Sequence, residues 1–546
     1  MDCEPRPRNR LSESATPLPG HSGIYLHNSP RQVTTDHNHF EPHWTKDRLH
    51  ELIETRLRGW KIIVVSNREP YMHRRTESGT VDCISTAGGL TTALRPVLEA
   101  GGGTWIAHGA GDADRSMSDE RGCLMVPEDR PSYRLRRVWL SEAQEQGYYY
   151  GLANEGLWPL CHIAYSRPHF READWNHYRE VNQLFADAVL EEAGDAPAFV
   201  FVQDYHFCLL PRMVKDAGRA NIHIAQFWHI PWPGREMFRI FPWGEELLHG
   251  LTGNDLLGFH IRHHCQNFLD TADRHIEARV DREHWTITRG GRDTAVRPFP
   301  ISIDFTAQAQ RAEKIGKKKA AALWRDRLGI APDVRIGAGI ERMDFTKGIA
   351  DRLRALDLFF EKHPDWRGRL SFIQIAAPSR SHLPAYQQAE QEVATLARAV
   401  NERWATPAWR PVYLLDQHHG PAEMTALHLA ADFMVVNSLH DGMNLVAKEF
   451  CASRVDNGGV LILSRFTGAH RELMESLGVN PFAVHEIAAA IHQALTMSAA
   501  ERTRRMKRMR ATVHHGNVYQ WAARILGHLL HVDLPDTADA SDNSLD

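Results

Sequence analysis

The chain has 546 residues, of which 43% are hydrophobic and 24% are charged, and its formal net charge is −4. This length exceeds what one ordinary core supports, and it predicts two domains of roughly 200–250 residues each, plus tails. The nearly neutral charge argues against a nucleic-acid partner, because proteins that bind polyanions present a strongly basic face.

The cysteines and the apolar segments indicate the compartment. The seven cysteines are scattered and form no C-x-x-C pair, so we expect neither a disulfide framework nor a structural zinc site. The sequence has no run of about 18 apolar residues and no secretory signal, so no membrane span is expected. These features predict a cytoplasmic protein.

The two ends of the chain differ from its middle. Residues 1–58 are rich in Pro, Ser, Arg, Asn and His and have no sustained apolar period. This composition predicts a disordered extension that ends in a short helix near Asp47–Leu57. Residues 533–546 are acidic and Ser-rich, and we predict that they are disordered as well.

Short apolar runs alternate with longer helix-like stretches from Lys61 onward. Several runs are continuously apolar, as in parallel strands that are covered on both faces. The alternation predicts an α/β fold with two Rossmann-like, doubly wound domains that face a cleft. Ligands should then bind at the carboxyl ends of the strands. The predicted strands are Ile62–Ser66, Ala198–Gln203, Ile222–Trp228, Leu256–Phe259, Arg335–Ile340, Leu370–Ile375, Val412–Leu415, Phe433–Asn437 and Val460–Leu463.

The segment Val296–Pro300 contains two prolines, which stiffen the chain and disfavour a helix. We place the domain boundary there. The N-terminal domain then covers residues 59–298 and the C-terminal domain covers residues 299–512. A last helix over residues 513–532 is predicted to return to the N-terminal domain.

Polar residues follow the strands that are predicted in the first half. Arg68 follows Ile62–Ser66 and could bind a phosphate group. After a polar insertion comes the segment Ala87–Leu90, where Gly89 would let the backbone approach a ligand closely.

The next two predicted strands of the first half also end in polar residues. Asp204 and His206 follow Ala198–Gln203, and His229 follows Ile222–Trp228. A single histidine is more often a core or surface residue than a catalyst. Two polar strand ends in one half nevertheless favour a site at the edge of the cleft.

The loop after the strand Arg335–Ile340 carries Arg342 and Lys347, five residues apart. Two fixed cations at the end of a strand can hold a diphosphate and stabilise it as it leaves. The alternative is a solvated charged loop. Gly337 and Gly339 are only a fragment of a dinucleotide fingerprint, because the third glycine is missing, and we reject a nicotinamide dehydrogenase for that reason.

The segment Phe433–Glu449 is predicted to form a strand, a polar loop with Gly442 and a helix that starts near Asn444. A helix N-terminus offers free N–H groups and the positive end of the dipole, which suit a diphosphate. Asp441 could accept hydrogen bonds from sugar hydroxyls, and Glu449, about two turns into the helix, could bind a ribose diol. The alternative is an ordinary turn with Asp441 as the capping residue.

Two motifs with metal-ligand spacing are not interpreted as metal sites. Asp112 and Asp114 have the D-x-D spacing of metal-binding transferases, but those enzymes belong to another fold class. His260, His263 and His264 are interpreted as the start of a helix, since no carboxylate or cysteine is spaced to join them.

Together the motifs resemble one family, the trehalose-6-phosphate synthases and their close relatives, which are retaining glycosyltransferases of the GT-B fold. The resemblance extends from about Lys61 to about Leu530. Its motifs are V-S-N-R (65–68), A-G-G-L (87–90), L-W-P (157–159), Q-D-Y-H (203–206), H-I-P-W-P (229–233), E-R-M-D-F-T-K-G (341–348), A-P-S-R (377–380) and D-G-M-N-L-V-A-K-E (441–449).

The resemblance implies a reaction, and it implies that each domain binds a different substrate. Glucose would move from a nucleoside-diphosphate glucose, with UDP-glucose as the first choice, to glucose 6-phosphate, giving α,α-trehalose 6-phosphate and UDP. The N-terminal domain would bind the acceptor and the C-terminal domain the donor. Retention by front-face attack needs cations and an oriented acceptor rather than a pair of carboxylates, and no metal or other cofactor is expected.

The resemblance also assigns roles to individual residues. The implied catalytic residues are His229, Asp204, Arg342, Lys347 and Asp441. The implied donor site consists of Gly89, Arg342, Lys347, Asp441, Gly442, Met443, Asn444, Leu445 and Glu449. The implied acceptor site consists of Arg68, Tyr149, Trp158, Asp204 and Arg380.

Some residues depart from the family pattern, mostly on the acceptor side. His108 stands where the family has a second tryptophan, and His440 stands where it usually has an arginine. After V-S-N-R the chain reads Glu69-Pro70-Tyr71, which is similar to the glucosylglycerol-phosphate synthases, and extra residues precede A-G-G-L. Glycerol 3-phosphate and a cyclitol phosphate are therefore alternative acceptors.

The expected partners are small-molecule substrates, without nucleic acid or membrane, and the oligomeric state stays open between a monomer and a homo-oligomer. A separate phosphatase would act on the product. The other class of function is a non-catalytic regulatory homologue that binds sugar phosphate. Such a protein would be expected to lose donor-site residues, whereas Arg342, Lys347, Asp441 and Glu449 are all present here.

Overall fold

The computed structural model describes residues 43–85, 94–95, 97–99, 101–163 and 165–530. Its strands are β1 (Lys61–Arg68), β2 (Tyr71–Arg75), β3 (Val81–Ser85), β4 (Thr104–His108), β5 (Cys123–Val126), β6 (Tyr133–Val138), β7 (Ala198–Gln203), β8 (Ile222–Phe227), β9 (Leu256–Phe259), β10 (Arg279–Asp281), β11 (Thr286–Arg289), β12 (Arg292–Pro298), β13 (Arg335–Arg342), β14 (Leu370–Ala377), β15 (Val412–Leu415), β16 (Phe433–Val436), β17 (Val460–Ser464) and β18 (Leu477–Val479).

The described helices cover the faces of the sheets. A π-helix, Glu145–Leu157, continues from one short α-helix into another. The α-helices are Lys46–Arg56, Glu142–Gln144, Trp158–His162, Glu172–Ala193, Leu210–Asp216, Arg235–Phe238, Gly244–Leu251, Arg262–His275, Phe305–Ile315, Lys317–Leu328, Ile349–Lys362, Pro384–Trp404, Pro421–Ala430, Leu445–Ser453, Ala469–Glu472, Val484–Thr496, Ala499–His515 and Val518–Leu529.

The strands form a large sheet, a small sheet and a hairpin. The large sheet has 10 strands in the order β10-β11-β12-β9-β8-β7-β1-β4-β6-β5, and the small sheet has six in the order β15-β14-β13-β16-β17-β18. All neighbours in the small sheet are parallel. The large sheet is parallel from β12 to β6, and antiparallel strands lie at its two edges. Strands β2 and β3 form the separate hairpin.

The continuous apolar runs reflect burial on both faces. In β1, Ile62 and Val64 belong to one hydrophobic core, and the alternate residues Ile63 and Val65 belong to another. A strand with a core on each side cannot alternate between polar and apolar residues, so its sequence is apolar throughout. Each predicted strand is present in the structure within two residues of its predicted ends.

The short helix that was predicted at the end of the N-terminal extension, near Asp47–Leu57, is confirmed. Residues Lys46–Arg56 form a helix, with Thr45 as its N-cap. Leu49 and Ile53 are four residues apart and lie buried on the same face. This single apolar stripe, which the polar composition masks, joins the helix to the core. Residues 1–42 lie outside the described part of the chain.

The predicted boundary at residue 512 falls inside the helix Ala499–His515. That helix ends only at Gly516. The Asn517 side chain then caps the next helix, Val518–Leu529, by accepting hydrogen bonds from two backbone N–H groups. This last helix lies on the large sheet, where Trp521 packs against Phe201 and Phe227. The last strand of the large sheet ends at Pro298, and the small sheet starts only at Arg335.

In the part of the chain that the structure describes, no helix has both the length and the apolar character that crossing a membrane requires.

Candidate active site

The carboxyl ends of the two sheets meet at one place. A methyl group on Gly442, which follows β16, would lie 2.1 Å from the carbonyl oxygen of His229, which follows β8. Only a glycine allows the two backbones to come this close. The predicted donor turn and the predicted strand ends of the first half therefore belong to one site.

Arg380 connects the same two halves through aromatic rings. Its guanidinium carbon lies 4.9 Å from the ring centre of Trp158 and 5.8 Å from that of Tyr149. The guanidinium of Arg342, at the end of β13, lies 5.8 Å from the Trp158 ring. Cations over aromatic faces are attracted by the ring quadrupole, and more strongly where water is excluded. These contacts bring the predicted acceptor residues Tyr149, Trp158 and Arg380 together.

The phenol of Tyr149 lies close to several positive charges in this pocket. Burial alone would raise the pKa of its phenol, but the guanidinium groups of Arg380 and Arg68 outweigh burial and lower the pKa to about 8. Arg342 contributes in the same direction. The three arginines thus act on one point, although they come from β1, β13 and the loop after β14. Such convergence of fixed cations suits a phosphate group.

A buried carboxylate holds these arginines in place. Asp344 is 2% exposed and lies 3.8 Å from Arg342 and 3.6 Å from Arg380. Burial favours its neutral form, but Arg342, Arg380 and Lys347 lower its pKa below the usual value. Tyr386 completes the arrangement, because its hydroxyl accepts from Arg380 at 2.7 Å. We did not single out Asp344 or Tyr386 from the sequence, although Asp344 lies within the matched E-R-M-D-F-T-K-G motif.

A second buried network fixes the strand that carries Arg342. Arg352 forms a two-pronged ion pair with Glu341, at 2.8 and 2.7 Å, and donates to Gln374 at 2.6 Å. Gly339 leaves room for it, since a methyl group there would lie 2.2 Å from the guanidinium. Gly337 in turn makes room for Phe433 and Phe372. The two glycines therefore serve packing within the strand rather than close approach to a phosphate.

Lys347 and Asp441 form an ion pair at the predicted donor site. The Lys347 Nζ lies 2.6 Å from Asp441 Oδ2, and both side chains are largely buried. Burial favours the neutral form of Asp441, but Lys347 outweighs burial and lowers its pKa. Gly348, with a φ of 66° and no room for a methyl group against the Asn437 carbonyl, ends the loop that places Lys347.

The helix Leu445–Ser453 begins directly after this pair. Its N-cap is Asn444, whose side chain accepts from Ala447 N at 3.0 Å and donates to Asp441 Oδ2 at 3.3 Å. The predicted helix start is confirmed, and the cap is Asn444 rather than Asp441. Glu449 is the fifth residue of the helix, so it lies little more than one turn in, not two. Burial raises the pKa of Glu449 to about 7.

Asp204 and His229 are joined at the ends of β7 and β8. The backbone N–H of His229 donates to Asp204 Oδ1 at 3.2 Å, and Asp204 has the rare φ of 69°. Burial raises the pKa of Asp204 to about 7, although its hydrogen bonds oppose this. Burial lowers the pKa of His229 to about 3, so its ring is neutral and pairs with Gln203 at 2.9 Å.

His260 belongs to this arrangement, although no sequence motif marked it as a functional residue. Its Nε2 lies 3.0 Å from the carbonyl oxygen of His229, the same oxygen that faces Gly442. Its pKa is far below the usual value because of burial, so the neutral ring can donate to that carbonyl. As predicted, His260, His263 and His264 mark the start of a helix, here Arg262–His275.

The remaining predicted residues fall into three groups. Gly89 lies outside the described residues. Met443 and Leu445 flank Asn444 at the start of the helix, and Met443 is buried. Of the departures from the family pattern, His108 is buried, which lowers its pKa to about 4, and His440 stacks on Phe466 with ring centres 5.4 Å apart.

The comparisons with known proteins identify the family. The model of the family described as "Glycosyltransferase family 20" matches residues 60–530 of this chain. The chain belongs to this family. It is 32% identical over 476 residues to an α,α-trehalose-phosphate synthase (UDP-forming) from Botryotinia fuckeliana, covering 86% of this chain and 89% of that protein.

Two solved structures are similar over nearly their whole length. One is a trehalose-6-phosphate structure from E. coli bound with UDP-2-fluoro glucose, with a TM-score of 0.76, 30% identity and coverage of 87% of this chain and 99% of that chain. The other is an α,α-trehalose-phosphate synthase (UDP-forming) from Burkholderia xenovorans in complex with glucose-6-phosphate, with a TM-score of 0.76, 28% identity and coverage of 86% and 100%.

These findings confirm the family that the motifs indicated. They also confirm the fold: this family member has two Rossmann-like halves of the GT-B type, facing a cleft. The chain is a glycosyltransferase.

Proposed function

We propose that this glycosyltransferase moves glucose from UDP-glucose to glucose 6-phosphate, with retention, and forms α,α-trehalose 6-phosphate and UDP. The observation that carries the proposal is the convergence of guanidinium groups on two aromatic rings: Arg380 lies over Tyr149 and Trp158, Arg342 lies over Trp158, and both of them, together with Arg68, lower the pKa of Tyr149. A pocket with this positive charge, next to the Asp441–Leu445 turn, suits an acceptor that carries a phosphate. The similar proteins support both substrates, because one is a UDP-forming trehalose-phosphate synthase, one is bound with UDP-2-fluoro glucose and one is in complex with glucose-6-phosphate.

On the donor side, the diphosphate would lie between Arg342, Lys347 and the N-terminus of the helix Leu445–Ser453. The helix end supplies N–H groups and a positive dipole end. Lys347 is at present paired with Asp441. When the donor binds, Lys347 can share its charge with the leaving phosphate, while Asp441 accepts hydrogen bonds from glucose hydroxyls. Glu449, whose pKa is raised to about 7, would hydrogen-bond the ribose diol.

In this mechanism the leaving phosphate itself takes the proton of the attacking hydroxyl. The bond from the anomeric carbon to the phosphate oxygen breaks as the bond to the acceptor oxygen forms on the same face, and UDP leaves. The cations hold the phosphate in place and stabilise the charge that develops on it. The protein then needs no carboxylate nucleophile.

The large-sheet side would hold the two sugars. Asp204, with a pKa of about 7, can both accept from and donate to sugar hydroxyls. His229 presents a neutral ring and a carbonyl, and the carbonyl can support the positive charge that develops on the transferred sugar ring. Gly89 stays a predicted contact, because it lies outside the described residues.

Arg68, Arg380, Tyr149 and Trp158 would bind the acceptor's phosphate. A flat guanidinium can donate two parallel hydrogen bonds to a phosphate, which fixes its orientation as well as its charge. The aromatic rings of Trp158 and Tyr149 restrict where Arg380 can lie.

A second acceptor is supported by one specific feature. The extra residues after Arg68 form the hairpin of β2 and β3, and Glu69 is buried against Arg137, with the Nε and Oε2 atoms 2.8 Å apart. This hairpin immediately follows an acceptor-side residue. Glycerol 3-phosphate, with the same donor and the same phosphate clamp, is therefore the alternative, and a cyclitol phosphate is a further one.

The decisive experiment gives the full-length protein UDP-glucose with glucose 6-phosphate, glycerol 3-phosphate or a cyclitol phosphate, and measures the release of UDP. We expect release with glucose 6-phosphate, and NMR of the product should show two α-anomeric protons in an α,α-linkage. Release with glycerol 3-phosphate alone would overturn the acceptor assignment. Donor hydrolysis without transfer to any acceptor would overturn the transferase assignment.

We also propose that catalysis needs no divalent cation, because Arg342 and Lys347 supply the charge that a metal ion supplies in other transferases. The rate of UDP release should then be unchanged when Mg²⁺ or Mn²⁺ is added. A separate phosphatase would consume the product, and gel filtration will show whether the protein is a monomer or a homo-oligomer.

A further inference from the structure

The segment that joins the two halves contains one peptide unit, at Ile301, to which a side chain from each half is bonded. Residues 299–304, which we call the linker, connect β12 to the helix Phe305–Ile315. Ile301 is 2% exposed. Its carbonyl oxygen accepts from Lys448 Nζ at 2.7 Å, and its N–H donates to His260 Nδ1 at 3.5 Å. The linker is therefore tied to the small-sheet side and to the large-sheet side at the same point.

Lys448 is a buried cation in the helix Leu445–Ser453, which we call the donor helix. Its side chain is 1% exposed, and its Nζ pairs with Glu472 Oε2 at 2.6 Å. A buried ammonium group is costly unless it is paired and its hydrogen bonds are made. The Ile301 carbonyl supplies one of these bonds, so separating the linker from the donor helix is unfavourable. The bond thus holds the linker against the helix whose N-terminus would bind the donor diphosphate.

The hydrogen bonds of His260 determine where its ring proton lies. A backbone N–H only donates, so Nδ1 accepts from Ile301 and the proton of the neutral ring is on Nε2. Nε2 then donates to the carbonyl oxygen of His229 at 3.0 Å. Burial is the main reason for the low pKa of His260, and the charge of Lys448 lowers it further. The ring therefore stays neutral and bonds the linker with one nitrogen and His229 with the other.

These contacts form a closed ring that passes through the Asp441–Leu445 turn, which we call the donor turn. The His229 oxygen that accepts from His260 is the oxygen that a methyl group on Gly442 would meet at 2.1 Å. The same methyl group would lie 2.9 Å from His260 Cδ2. Gly442 and Lys448 are six residues apart in one segment of turn and helix. A shift of the linker would therefore move the donor turn relative to the His229 carbonyl.

We propose that Lys448 and His260 are positioning residues for the glucosyl transfer. Through the Ile301 peptide they set the distance between the His229 carbonyl and the donor turn, and we call the three residues the linker clamp. The inference rests on the proposed function, in which that carbonyl supports the charge on the transferred sugar and the turn binds the leaving phosphate. Reacting groups must be held within about 0.5 Å of the productive geometry, so a loosened clamp slows the transfer while the donor still binds.

The first measurement is amide hydrogen exchange of the linker in the full-length protein, followed by mass spectrometry, and it needs no substrate. Lys448→Met removes the bond to the Ile301 carbonyl at a similar side-chain volume, and His260→Leu removes the bond to its N–H. Each change should raise the exchange rate of peptides that cover residues 299–304 by roughly tenfold, because one buried hydrogen bond no longer opposes local opening. Unchanged exchange in both variants would overturn the linker clamp.

The second measurement is UDP release from UDP-glucose with the phosphorylated acceptor that the wild-type protein uses. In Lys448→Met and His260→Leu, kcat should fall by roughly tenfold, whereas Kd for UDP, measured by calorimetry, should change by less than about threefold. His260→Gln should recover most of kcat, because an amide can accept from one N–H and donate to a carbonyl. If kcat is unchanged in both variants, or if His260→Gln is as slow as His260→Leu, the positioning role is wrong.

The double variant Lys448→Met/His260→Leu tests whether the two side chains act through the same peptide. If they do, breaking the second bond adds little, and kcat of the double variant should lie within about twofold of the slower single variant. Losses that multiply would show that the two residues act independently, which would overturn the shared route through Ile301.

Arg454→Met is the matched control for the loss of a buried cation, because Arg454 lies at the other end of the donor helix. It donates to the carbonyl oxygens of His428, Leu429 and Ala431 rather than to the linker. Its removal should lower Tm but leave kcat and linker exchange unchanged, and an equal loss of kcat would assign the effect to stability. If Lys448→Met does not fold, His260→Leu and His260→Gln test the same peptide. A wild-type protein that releases no UDP contradicts the proposed function, whereas the exchange measurement still decides the linker clamp.

Discussion

The carboxyl ends of the small sheet and of the large sheet contribute different kinds of side chain to the cleft. From the small sheet come full charges: Arg342, Lys347 and Arg380, balanced by Asp344 and Asp441, whose pKa values are lowered. From the large sheet come mainly groups that burial keeps close to neutral. Those groups are Asp204 and His229, with pKa values near 7 and 3.

This difference indicates that the two sheets bind different parts of the substrates. Buried full charges interact strongly with phosphates, since the local dielectric constant is low. Neutral groups hydrogen-bond hydroxyls without attracting ions. The small sheet is therefore suited to the diphosphate, and the large sheet to the sugars. Arg68 is the exception, because it brings a positive charge to the cleft from β1.

The largest effect is expected from removing a charge of the small sheet. Arg342→Ala and Lys347→Ala should each lower kcat for UDP release by roughly a hundredfold or more, because each would stabilise the leaving diphosphate. The matched control is Lys362→Ala, at the exposed end of the helix Ile349–Lys362. Near-normal turnover in both variants would contradict the proposal that the charges of the small sheet bind the diphosphate.

A smaller effect, confined to the acceptor, is expected for Arg380→Ala. Hydrogen bonds from a charged group to phosphate contribute about 1.5–3 kcal/mol, so KM for glucose 6-phosphate should rise by about 10–100-fold. KM for UDP-glucose should change little. The exposed Arg410→Ala is the control. An equal rise in both KM values would show that Arg380 does not distinguish acceptor from donor.

Gly442→Ala tests the close approach of the two halves. The added methyl group would lie 2.1 Å from the His229 carbonyl oxygen, so the halves must separate. We expect kcat/KM for UDP-glucose to fall by roughly tenfold, a loss of about 1.4 kcal/mol. Gly420→Ala is the control, since nothing lies within 4 Å of a methyl group there. If both variants behave alike, the contact has no role in catalysis.

The smallest effect concerns pH. Tyr149 has a pKa of about 8, so its phenol is neutral below that pH and anionic above it. The phenolate pairs with Arg380 and Arg68 and competes with the acceptor's phosphate. KM for glucose 6-phosphate should therefore rise a few-fold as the pH increases from about 7 to 9, although the phosphate stays dianionic over this range.

Tyr149→Phe should remove that rise, because the ring remains and the ionisable hydroxyl is lost. Tyr413→Phe, far along the chain on β15, is the control and should keep it. A rise that persists unchanged in Tyr149→Phe would assign the pH dependence to another group.

The sequence determined the strands and the local turns of this protein. The run Ile62–Val65 is apolar at every position, as only a strand that is covered on both faces requires. Asn444 caps the helix that starts at Leu445, and the side chain involved lies next to the backbone it caps. Both features depend on neighbours along the chain, so they can be read directly from the order of residues.

The sequence was less informative for short strands and for weakly amphipathic segments. Strands β2, β3 and β10 have only three to five residues and lie at an edge or outside the large sheet, so no apolar run marks them. The helix Lys46–Arg56 was predicted within one residue of its ends, but only Leu49 and Ile53 within it are buried, so the sequence did not show that it joins the core.

Only the tertiary structure decided which charges act together. Arg68, Arg342 and Arg380 lie up to 312 positions apart, and they converge on Tyr149 because two sheets place their carboxyl ends against each other. His260 joins His229, and His73 joins Glu128, for the same reason. Electrostatic and hydrogen-bonding interactions depend on distance in space, and no local sequence pattern records that distance.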